Sequence, residues 1–249
     1  MQKIEILGVK VNKTNKRLVL EKVRELLNKK QKFSIVTPNP EILVEASRNK
    51  RLAEAINSAD IAIPDGVGLK LADFSLTIIK GRELMLDLVE LARISNLKIY
   101  LLGATEIVNT KSQRILSEMF PGLKIKGKTG PKLDVNALAL TEKDITKEKE
   151  VIAEINRYKP DLVFVALGAP KQELWISRWL GELNVMGMMA VGGTLDYLSQ
   201  KQKPPKIISN LGFEWLWRLI REPSRLGRII NAVIIFPLKL LLSNTLDLK

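Results

Sequence analysis

Short apolar runs alternate with longer amphipathic stretches along most of this 249-residue chain, and this alternation limits the possible folds most. Several of the short runs are apolar on both faces, which is typical of strands buried inside a parallel sheet. The longer stretches repeat their apolar residues at close to 3.6 positions, as amphipathic helices do. The pattern therefore predicts an α/β fold, with a mostly parallel sheet and flanking helices.

We predict six strands, and they cover Ile4–Leu7, Phe33–Thr37, Asp60–Ile63, Leu97–Gly103, Asp161–Gly168 and Met186–Val191. Helical spacing covers six stretches, namely Lys16–Gln31, Glu41–Asn57, Glu83–Asn96, Ile107–Phe120, Thr146–Lys159 and Gln172–Leu180. The length and the 46% hydrophobic content suffice for one large domain with a full core, or for two small ones.

The composition changes after Tyr197. Ser199–Lys206 is polar and contains a double proline, which suits a connector that leaves a globular body. We therefore predict an α/β domain at residues 1–198 and a basic, amphipathic helical appendage at residues 199–249. Four arginines of the appendage, spaced three or four apart, would form one stripe on a helix: Arg218, Arg221, Arg225 and Arg228.

Nearly half of the net charge of +13 lies in this appendage, where Lys201–Lys249 contains nine Lys and Arg against three acids. A basic surplus indicates an anionic partner, which can be nucleic acid, a phosphorylated ligand or a membrane surface. A solvated lysine-rich surface is the plainer explanation for the charge of the main body.

The end of the chain is also strongly apolar. Pro223 predicts the start of a second helix, and Ile229–Leu242 looks too short to cross about 30 Å of hydrocarbon. Trp215 and Trp217 suit the headgroup layer of a membrane. These features favour a helix pair on a membrane surface over a transmembrane helix, and a helix packed on its own domain is the alternative.

The chain contains no Cys and no His, so disulfides, thiolate metal sites and imidazole chemistry are excluded. It also lacks a D-x-D pair, and we therefore expect no metal site and no cofactor. The N-terminal segment MQKIEILGVKVNK has no basic stretch leading into a long apolar run. We expect no signal peptide and a cytoplasmic protein.

One motif match conflicts with its context. Gly122–Thr129 satisfies G-x-x-x-x-G-K-[ST], the phosphate-binding loop of many nucleotide hydrolases. Such a loop follows a strand and opens directly into a helix. Here Leu123–Lys126 is itself strand-like and Gly130-Pro131-Lys132 comes next, so we do not favour a phosphate-binding loop. A nucleotide hydrolase built on this segment stays a rival, and it would require magnesium.

Four predicted strand ends carry polar or glycine-rich turns, which are Thr37–Glu41, Pro64–Gly66, Gly168–Glu173 and Gly192–Asp196. Ligands bind beyond the carboxyl ends of parallel strands, so these turns can converge on one cleft. Each turn also has a structural explanation. Asn39, Asp65 and Thr194 could cap helices, and the glycine pair could serve a tight turn.

Five segments in this order, TPNPE, PDGVG, LGAPKQE, VGGTLDYLS and EWLWRL-IREPSRLGR, resemble the WecG/TagA/CpsF glycosyltransferases, glycosyltransferase family 26. The resemblance covers nearly the whole chain and is strongest to the TagA-like branch. It implies a Rossmann-like fold, a C-terminal appendage that meets the membrane, and an inverting, metal-independent reaction. That reaction transfers N-acetylmannosamine from UDP-N-acetylmannosamine to the 4-hydroxyl of N-acetylglucosamine on undecaprenyl diphosphate, for wall teichoic acid linkage units. Related members use UDP-N-acetylmannosaminuronate or UDP-glucose.

The resemblance also implies roles for single residues. Asp65 would be the general base, and the residues that hold the sugar end and the nucleotide-sugar cleft would be Thr37, Asn39 and Gln172. Asp196 and the turn at Gly103-Ala104 would lie near the nucleoside. The arginines that face the diphosphate groups would be Arg218, Arg225 and Arg228.

This chemistry needs few residues. One carboxylate can take the acceptor proton during an inverting transfer, and arginines can stabilise the departing UDP in place of a metal. The expected partners are a UDP-sugar, a polyprenyl-diphosphate-linked acceptor and the anionic inner face of the cell membrane, but no nucleic acid. A homo-oligomer is left open. The rival from another class is a non-enzymatic membrane adaptor, which needs no occupied cleft.

The chain departs from the family pattern at three positions. Ile78 stands where an arginine is common, so that cation is missing or supplied by Arg82. Pro131 replaces an aromatic residue, and Lys203 begins a K-P-P run in place of R-A-P.

Overall fold

The computed structural model of the protein describes residues 1–199 and 226–246. The strands are β1 (Lys3–Ile6), β2 (Val9–Asn12), β3 (Phe33–Val36), β4 (Ile61–Ala62), β5 (Lys98–Gly103), β6 (Lys124–Lys128), β7 (Leu162–Ala166) and β8 (Gly187–Ala190). β1 and β2 form an antiparallel hairpin, and the other six form one parallel sheet in the order β4-β3-β8-β7-β5-β6. The predicted α/β class and the parallel sheet are confirmed.

Eight helices surround the sheet within residues 1–199. They are α1 (Lys16–Asn28), α2 (Pro40–Ala46), α3 (Lys50–Asn57), α4 (Gly81–Ile94), α5 (Glu106–Met119), α6 (Glu142–Tyr158), α7 (Lys171–Trp179) and α8 (Thr194–Leu198). A 3₁₀ turn covers Val67–Leu71. α2, α3, α6 and α7 share one buried layer, and α1, α4, α5 and α8 share the other.

The central strands are apolar on both faces because each face carries one of these layers. Along β7, Leu162 and Phe164 belong to the layer of α1 and α4, whereas Val163 and Val165 belong to the layer of α2 and α7. Alternate side chains of a strand point to opposite faces, so a strand covered on both sides must be apolar throughout. This arrangement is Rossmann-like.

Two local predictions need correction. The helical stretch predicted at Glu41–Asn57 is two helices. The first ends at Ala46, and Asn49 caps α3 by accepting a hydrogen bond from the Leu52 backbone N–H at 3.1 Å. β2 was not predicted as a strand. Its Asn12 side chain accepts a hydrogen bond from the Ala62 backbone N–H at 2.7 Å, which ties the hairpin to β4.

The C-terminal helix consists of three consecutive segments, Leu226–Ile230, a π-helical turn at Asn231–Ile235, and Phe236–Leu246. The π turn ends two residues before Pro237, which lacks a backbone N–H and whose ring would clash with the carbonyl one turn earlier. A wider turn at that point accommodates the proline. The predicted helix start at Pro223 lies outside the described residues, as do Trp215 and Trp217.

One side of the C-terminal helix packs against α2, where Phe236 is fully buried in the core layer. Apolar side chains on the helix are also exposed, among them Val233, Leu238 and Leu242. Leu226–Ser243 is long and apolar enough to cross a membrane by length and composition, with a mean hydropathy of 1.7. The helix extends past Ile229–Leu242 at both ends, so the shortness of that run does not by itself decide between a spanning helix and a surface helix.

Candidate active site

The carboxyl edge of the sheet forms a cleft of about 770 Å³. It lies over the ends of four adjacent strands, in the spatial order β4, β3, β8 and β7. All four turns singled out in the sequence contribute to its wall. Six of the predicted site residues line it: Thr37, Asn39, Asp65, Gln172, Asp196 and Arg228.

Asp65 enters the cleft directly after β4. Its backbone N–H donates to the Pro38 carbonyl at 3.0 Å, which joins this turn to the turn after β3. Its Oδ2 atom accepts a hydrogen bond from the Gly81 backbone N–H, at 3.4 Å, in the first turn of α4. A helix N-terminus is a favourable place for an acidic side chain, and the start of α4 lies beside this one. Asp65 does not cap the 3₁₀ turn that follows, which has no side-chain cap.

Thr37 is buried beside the same helix start. A Cβ atom placed on Gly81 would lie 3.0 Å from Thr37 Cγ2 and 3.3 Å from Asp65 Oδ2. Both separations are shorter than ordinary van der Waals contact, so the site depends on a glycine at position 81. Thr37, Asp65 and Gly81 therefore form one tightly packed part of the cleft wall.

Asn39 does cap a helix. Its Oδ1 atom accepts a hydrogen bond from the Ile42 backbone N–H at 2.9 Å, at the start of α2. The side chain still lines the cleft, and the amide group is fixed in direction by the cap. Thr194 does not act as a cap, because its hydroxyl donates to the Val191 carbonyl at 2.6 Å and Gly193 occupies the N-cap position of α8.

Gln172 is only 2% exposed, and both ends of its amide are occupied. Its Oε1 atom accepts a hydrogen bond from the Gly192 backbone N–H at 3.0 Å, and its Nε2 atom donates to Glu173 Oε1 at 2.8 Å. The Gly192–Gly193 turn lines the cleft beside it. In this structure Gln172 therefore holds the turn after β8 against the turn after β7.

The cleft wall also carries cations and an aromatic ring. The Arg82 guanidinium carbon lies 4.5 Å from the centre of the Tyr197 ring, within the range of a cation–π contact. Lys80 lines the same wall, and Asp196 lies next to Tyr197 in α8. Arg82 thus brings a positive charge to the wall that also contains Ile78, where the family pattern commonly has arginine.

Arg228 reaches the cleft from the C-terminal helix. Its Nε atom lies 3.5 Å from Glu41 Oε1, and the ion pair joins this helix to the first turn of α2. Arg218 and Arg225 lie outside the described residues. The structure thus brings one of the three predicted tail arginines to the same cleft as Asp65.

With this geometry established, comparison with known proteins identifies the family. The sequence profile of the Glycosyl transferase WecG/TagA/CpsF family matches residues 4–248. The chain is also 30% identical over 246 residues to the N-acetylglucosaminyldiphosphoundecaprenol N-acetyl-beta-D-mannosaminyltransferases of Staphylococcus aureus strains MRSA252 and MW2. Each match covers 96% of this chain and 92% of the relative.

The chain belongs to the WecG/TagA/CpsF glycosyltransferase family. It is therefore a glycosyltransferase that moves a hexosyl group, and the non-enzymatic adaptor is set aside. The resemblance found in the sequence is confirmed. The names of the relatives specify a sugar and a diphosphoundecaprenol-linked acceptor for those proteins.

The phosphate-binding-loop motif has no place in this glycosyltransferase site. Lys124–Lys128 is β6, the last strand of the sheet, and the chain does not enter a helix after Thr129. Lys128 pairs with Glu150 and Glu154 of α6, at 3.5 and 3.6 Å. The rival hydrolase therefore lacks the geometry that it requires.

Among the predicted site residues within 1–199 and 226–246, Gly103 alone does not line the glycosyltransferase cleft. It ends β5, one strand beyond β7, with φ of +106°. A Cβ atom at this position would lie 2.4 Å from the Ala166 carbonyl oxygen, so a close approach of two strand ends requires the glycine. Its role near the nucleoside stays a prediction.

The sequence did not single out Glu173 or Tyr197 as separate site features. Glu173 is buried, and desolvation raises its pKa to about 7, assisted by the negative charge of Glu41. The hydrogen bonds from the Gln172 amide and from its own backbone act in the opposite direction on this pKa. Acidic side chains in the first turn of a helix are usually exposed to solvent. Only the tertiary structure therefore shows that Glu173 is buried.

Proposed function

We propose that this glycosyltransferase transfers N-acetylmannosamine from UDP-N-acetylmannosamine to N-acetylglucosaminyl diphosphoundecaprenol, as the names of its relatives state for those proteins. A role in linkage-unit synthesis for wall teichoic acid, or for a related surface polysaccharide, follows from such a product. The support is coverage of 96% of the chain by those relatives, together with a cleft that contains Asp65.

Asp65 carries the proposal. The carboxylate would accept the proton of the acceptor 4-hydroxyl while that oxygen attacks the anomeric carbon. The bond between the anomeric carbon and the UDP oxygen breaks, UDP departs with the bonding electrons, and the configuration inverts. The Gly81 backbone N–H, 3.4 Å from Oδ2, helps to orient the carboxylate towards the cleft for this proton transfer.

The departing UDP needs positive charge, and the cleft wall offers Lys80, Arg82 and Arg228. Charged hydrogen bonds from arginine to phosphate are stronger than neutral ones, and they can stabilise the leaving group in a partly dry site. In the described part of the chain no three Asp or Glu side chains cluster as metal ligands would. We propose a metal-independent reaction in which these cations act on the diphosphate, together with Arg218 and Arg225.

The acceptor is a membrane lipid, and we propose that the protein works as a peripheral protein on the anionic inner face of the cell membrane. The exposed apolar side chains of the C-terminal helix support this placement, because they are about half exposed or more at Val233, Leu238 and Leu242. Such a helix gains apolar burial and charge attraction together at an anionic surface. A catalytic domain at residues 1–198 with an appendage at 199–249 is part of this proposal, and the oligomeric state stays open.

The decisive experiment measures UDP release from UDP-N-acetylmannosamine, UDP-N-acetylmannosaminuronate and UDP-glucose, with N-acetylglucosamine linked through diphosphate to a short lipid as the acceptor. We expect turnover with the first donor, in excess EDTA as well as with magnesium. Turnover only with another donor would reassign the sugar, and loss of activity in EDTA with rescue by magnesium would contradict metal independence.

Asp65→Asn tests the general base in the same assay. The amide cannot accept the proton, so turnover should fall about 10²–10⁴-fold while UDP binding and the melting temperature stay close to wild type. Asp87→Asn is the matched control, since Asp87 pairs with Lys16 between α1 and α4 and does not line the cleft. Near wild-type turnover of Asp65→Asn would reduce Asp65 to a structural role.

A further inference from the structure

Glu173 is the one buried acidic residue of the described chain, and its environment is unusual. Its side chain is 2% exposed, and its Oε1 atom accepts the hydrogen bond from Gln172 Nε2. Its Oε2 atom is buried and has no hydrogen-bond partner within the described residues. A buried polar atom without a partner costs free energy, so a role that retains the carboxyl group is expected.

The contact with Gln172 has a geometric consequence. An amide has two orientations of nearly the same shape, with its oxygen and nitrogen exchanged. Only one of them presents Oε1 to the Gly192 N–H, at 3.0 Å. The exchanged orientation would place an NH₂ group against that N–H, donor against donor. Because Glu173 accepts from Nε2 on the other side, it selects the orientation that holds Gly192.

We propose that Glu173 is a positioning residue, which fixes the Gln172 amide and, through it, the Gly192–Gly193 turn that lines the cleft. The turn is a sensitive element. Gly192 has φ of +51°, and the turn leads into α8, which carries Asp196 and Tyr197. A loose turn would leave the adjacent cleft wall poorly ordered for the donor.

The charge state of Glu173 adds a second effect. Burial raises its pKa to about 7, so the group is largely neutral below that pH and ionised above it. The neighbouring charge that contributes to this shift is Glu41 of α2, which is paired with Arg228 of the C-terminal helix. Ionised Glu173 adds a negative charge close behind a cleft that must bind an anionic donor, so donor binding should weaken as pH rises.

The test compares wild type with Glu173→Gln, Glu173→Ala and the exposed control Glu182→Gln, between pH 6 and 8. The readouts are UDP affinity by calorimetry and donor KM and kcat. For wild type and the control, we expect donor KM to rise about three- to tenfold over this range with little change in kcat. Glu173→Gln still accepts from Gln172 but cannot ionise, so its KM should stay constant. Glu173→Ala also cannot ionise, so its UDP affinity should not vary with Glu173 ionisation and should be about tenfold below that of wild type at pH 6.

The inference takes the identity of the donor from the proposed function. A measurement that needs no ligand tests the role of Glu173 separately. In ¹⁵N-labelled protein, the side-chain amide protons of Gln172, assigned by their loss in Gln172→Ala, should exchange slowly in wild type and Glu173→Gln but rapidly in Glu173→Ala. If wild type binds no UDP, the proposed donor is wrong, and this amide signal decides the role of Glu173.

Two results would overturn the inference. One is a Glu173→Gln variant that keeps the pH dependence of wild type. The other is a folded Glu173→Ala variant that has wild-type UDP affinity at pH 6 and a protected Gln172 amide. Should Glu173→Ala fail to fold, as circular dichroism would reveal, the KM profile of Glu173→Gln decides alone.

Discussion

Thr37, Asp65 and Gly81 meet at one point of the cleft wall, although each comes from a different segment. Thr37 follows β3, Asp65 follows β4, and Gly81 begins α4. The parallel pairing of β3 with β4 brings the first two to the same edge of the sheet. The helix start then supplies its backbone N–H to Asp65, at a distance that only a residue without a side chain allows.

Gly81→Ala should therefore damage the site without damaging the fold. The added Cβ would displace Thr37 and Asp65 by a few tenths of an ångström, whereas alanine favours a helix more than glycine does. We expect turnover to fall about tenfold or more, with the melting temperature unchanged or higher. Gly181→Ala is the control, since a Cβ there would meet no atom within 4 Å. Equal turnover of the two variants would show that Asp65 tolerates displacement.

The buried carboxyl of Glu173 also predicts how stability varies with pH. The pKa of Glu173 is about 7 in the folded chain, above its reference value of 4.5. The fold is therefore more stable when this carboxyl group is protonated than when it is ionised. That stability is fully present below about pH 4.5 and is lost progressively up to about pH 7, by roughly 3 kcal/mol at most.

Glu173→Gln cannot ionise. The melting temperature of this variant minus that of wild type should therefore increase by several degrees between pH 5 and 7.5. Thermal melts of both proteins across this range, beside Glu182→Gln, measure the gain. Parallel curves for Glu173→Gln and wild type would mean that the carboxyl group does not ionise differently in the folded and unfolded chain.

At the scale of elements, the C-terminal helix is held to the body by α2. Phe236 contributes apolar burial and Arg228 contributes the ion pair with Glu41. The same helix places Ile229 and Ala232 in the cleft wall. Detaching the C-terminal helix from α2 would therefore also remove part of the cleft wall.

Phe236→Ala should loosen this attachment. Truncating a buried phenylalanine typically costs about 3–5 kcal/mol, and here the loss falls on the contact between one helix and α2. We expect faster hydrogen exchange in the C-terminal helix and α2, with slower turnover. Leu238→Ala, at a position about half exposed, is the control and should change neither when turnover is measured in solution with a short acceptor, where membrane contact plays no part. Protection that survives in Phe236→Ala would mean that other contacts hold the helix.

The sequence predicts an element well where its local pattern favours the same structure that packing in the fold requires. β7 is apolar throughout and appears where expected, and the polar turns after β3 and β4 reach one cleft because parallel strands end on one edge. The break between α2 and α3 was missed because apolar spacing continues across it, while one capping asparagine decides it. Glu173 and the contact of Arg82 with Tyr197 depend on packing between distant segments, which no local pattern records.

At the scale of the whole molecule, the carboxyl edge of the sheet and its β6 side differ in the residues that they carry. Its carboxyl edge gathers the polar turns of the cleft, and β6 at its side carries only the motif that resembled a phosphate-binding loop. A cleft at the carboxyl edge of a three-layer body is the arrangement typical of parallel α/β enzymes. The C-terminal helix is the element that joins this cleft to the exposed apolar surface.

That junction has a kinetic consequence. Arg228 in the cleft wall and Leu238 on the exposed surface lie ten positions apart on one helix, which is about 15 Å along its axis. An enzyme that rests on the bilayer through this helix would meet its lipid acceptor by two-dimensional diffusion, without extracting it into water. Initial rates on vesicles should then follow the mole fraction of acceptor in the bilayer, and diluting the vesicles in buffer at constant mole fraction should barely change the turnover of bound enzyme. Rates that instead track the bulk concentration of acceptor would mean that each lipid is drawn from solution.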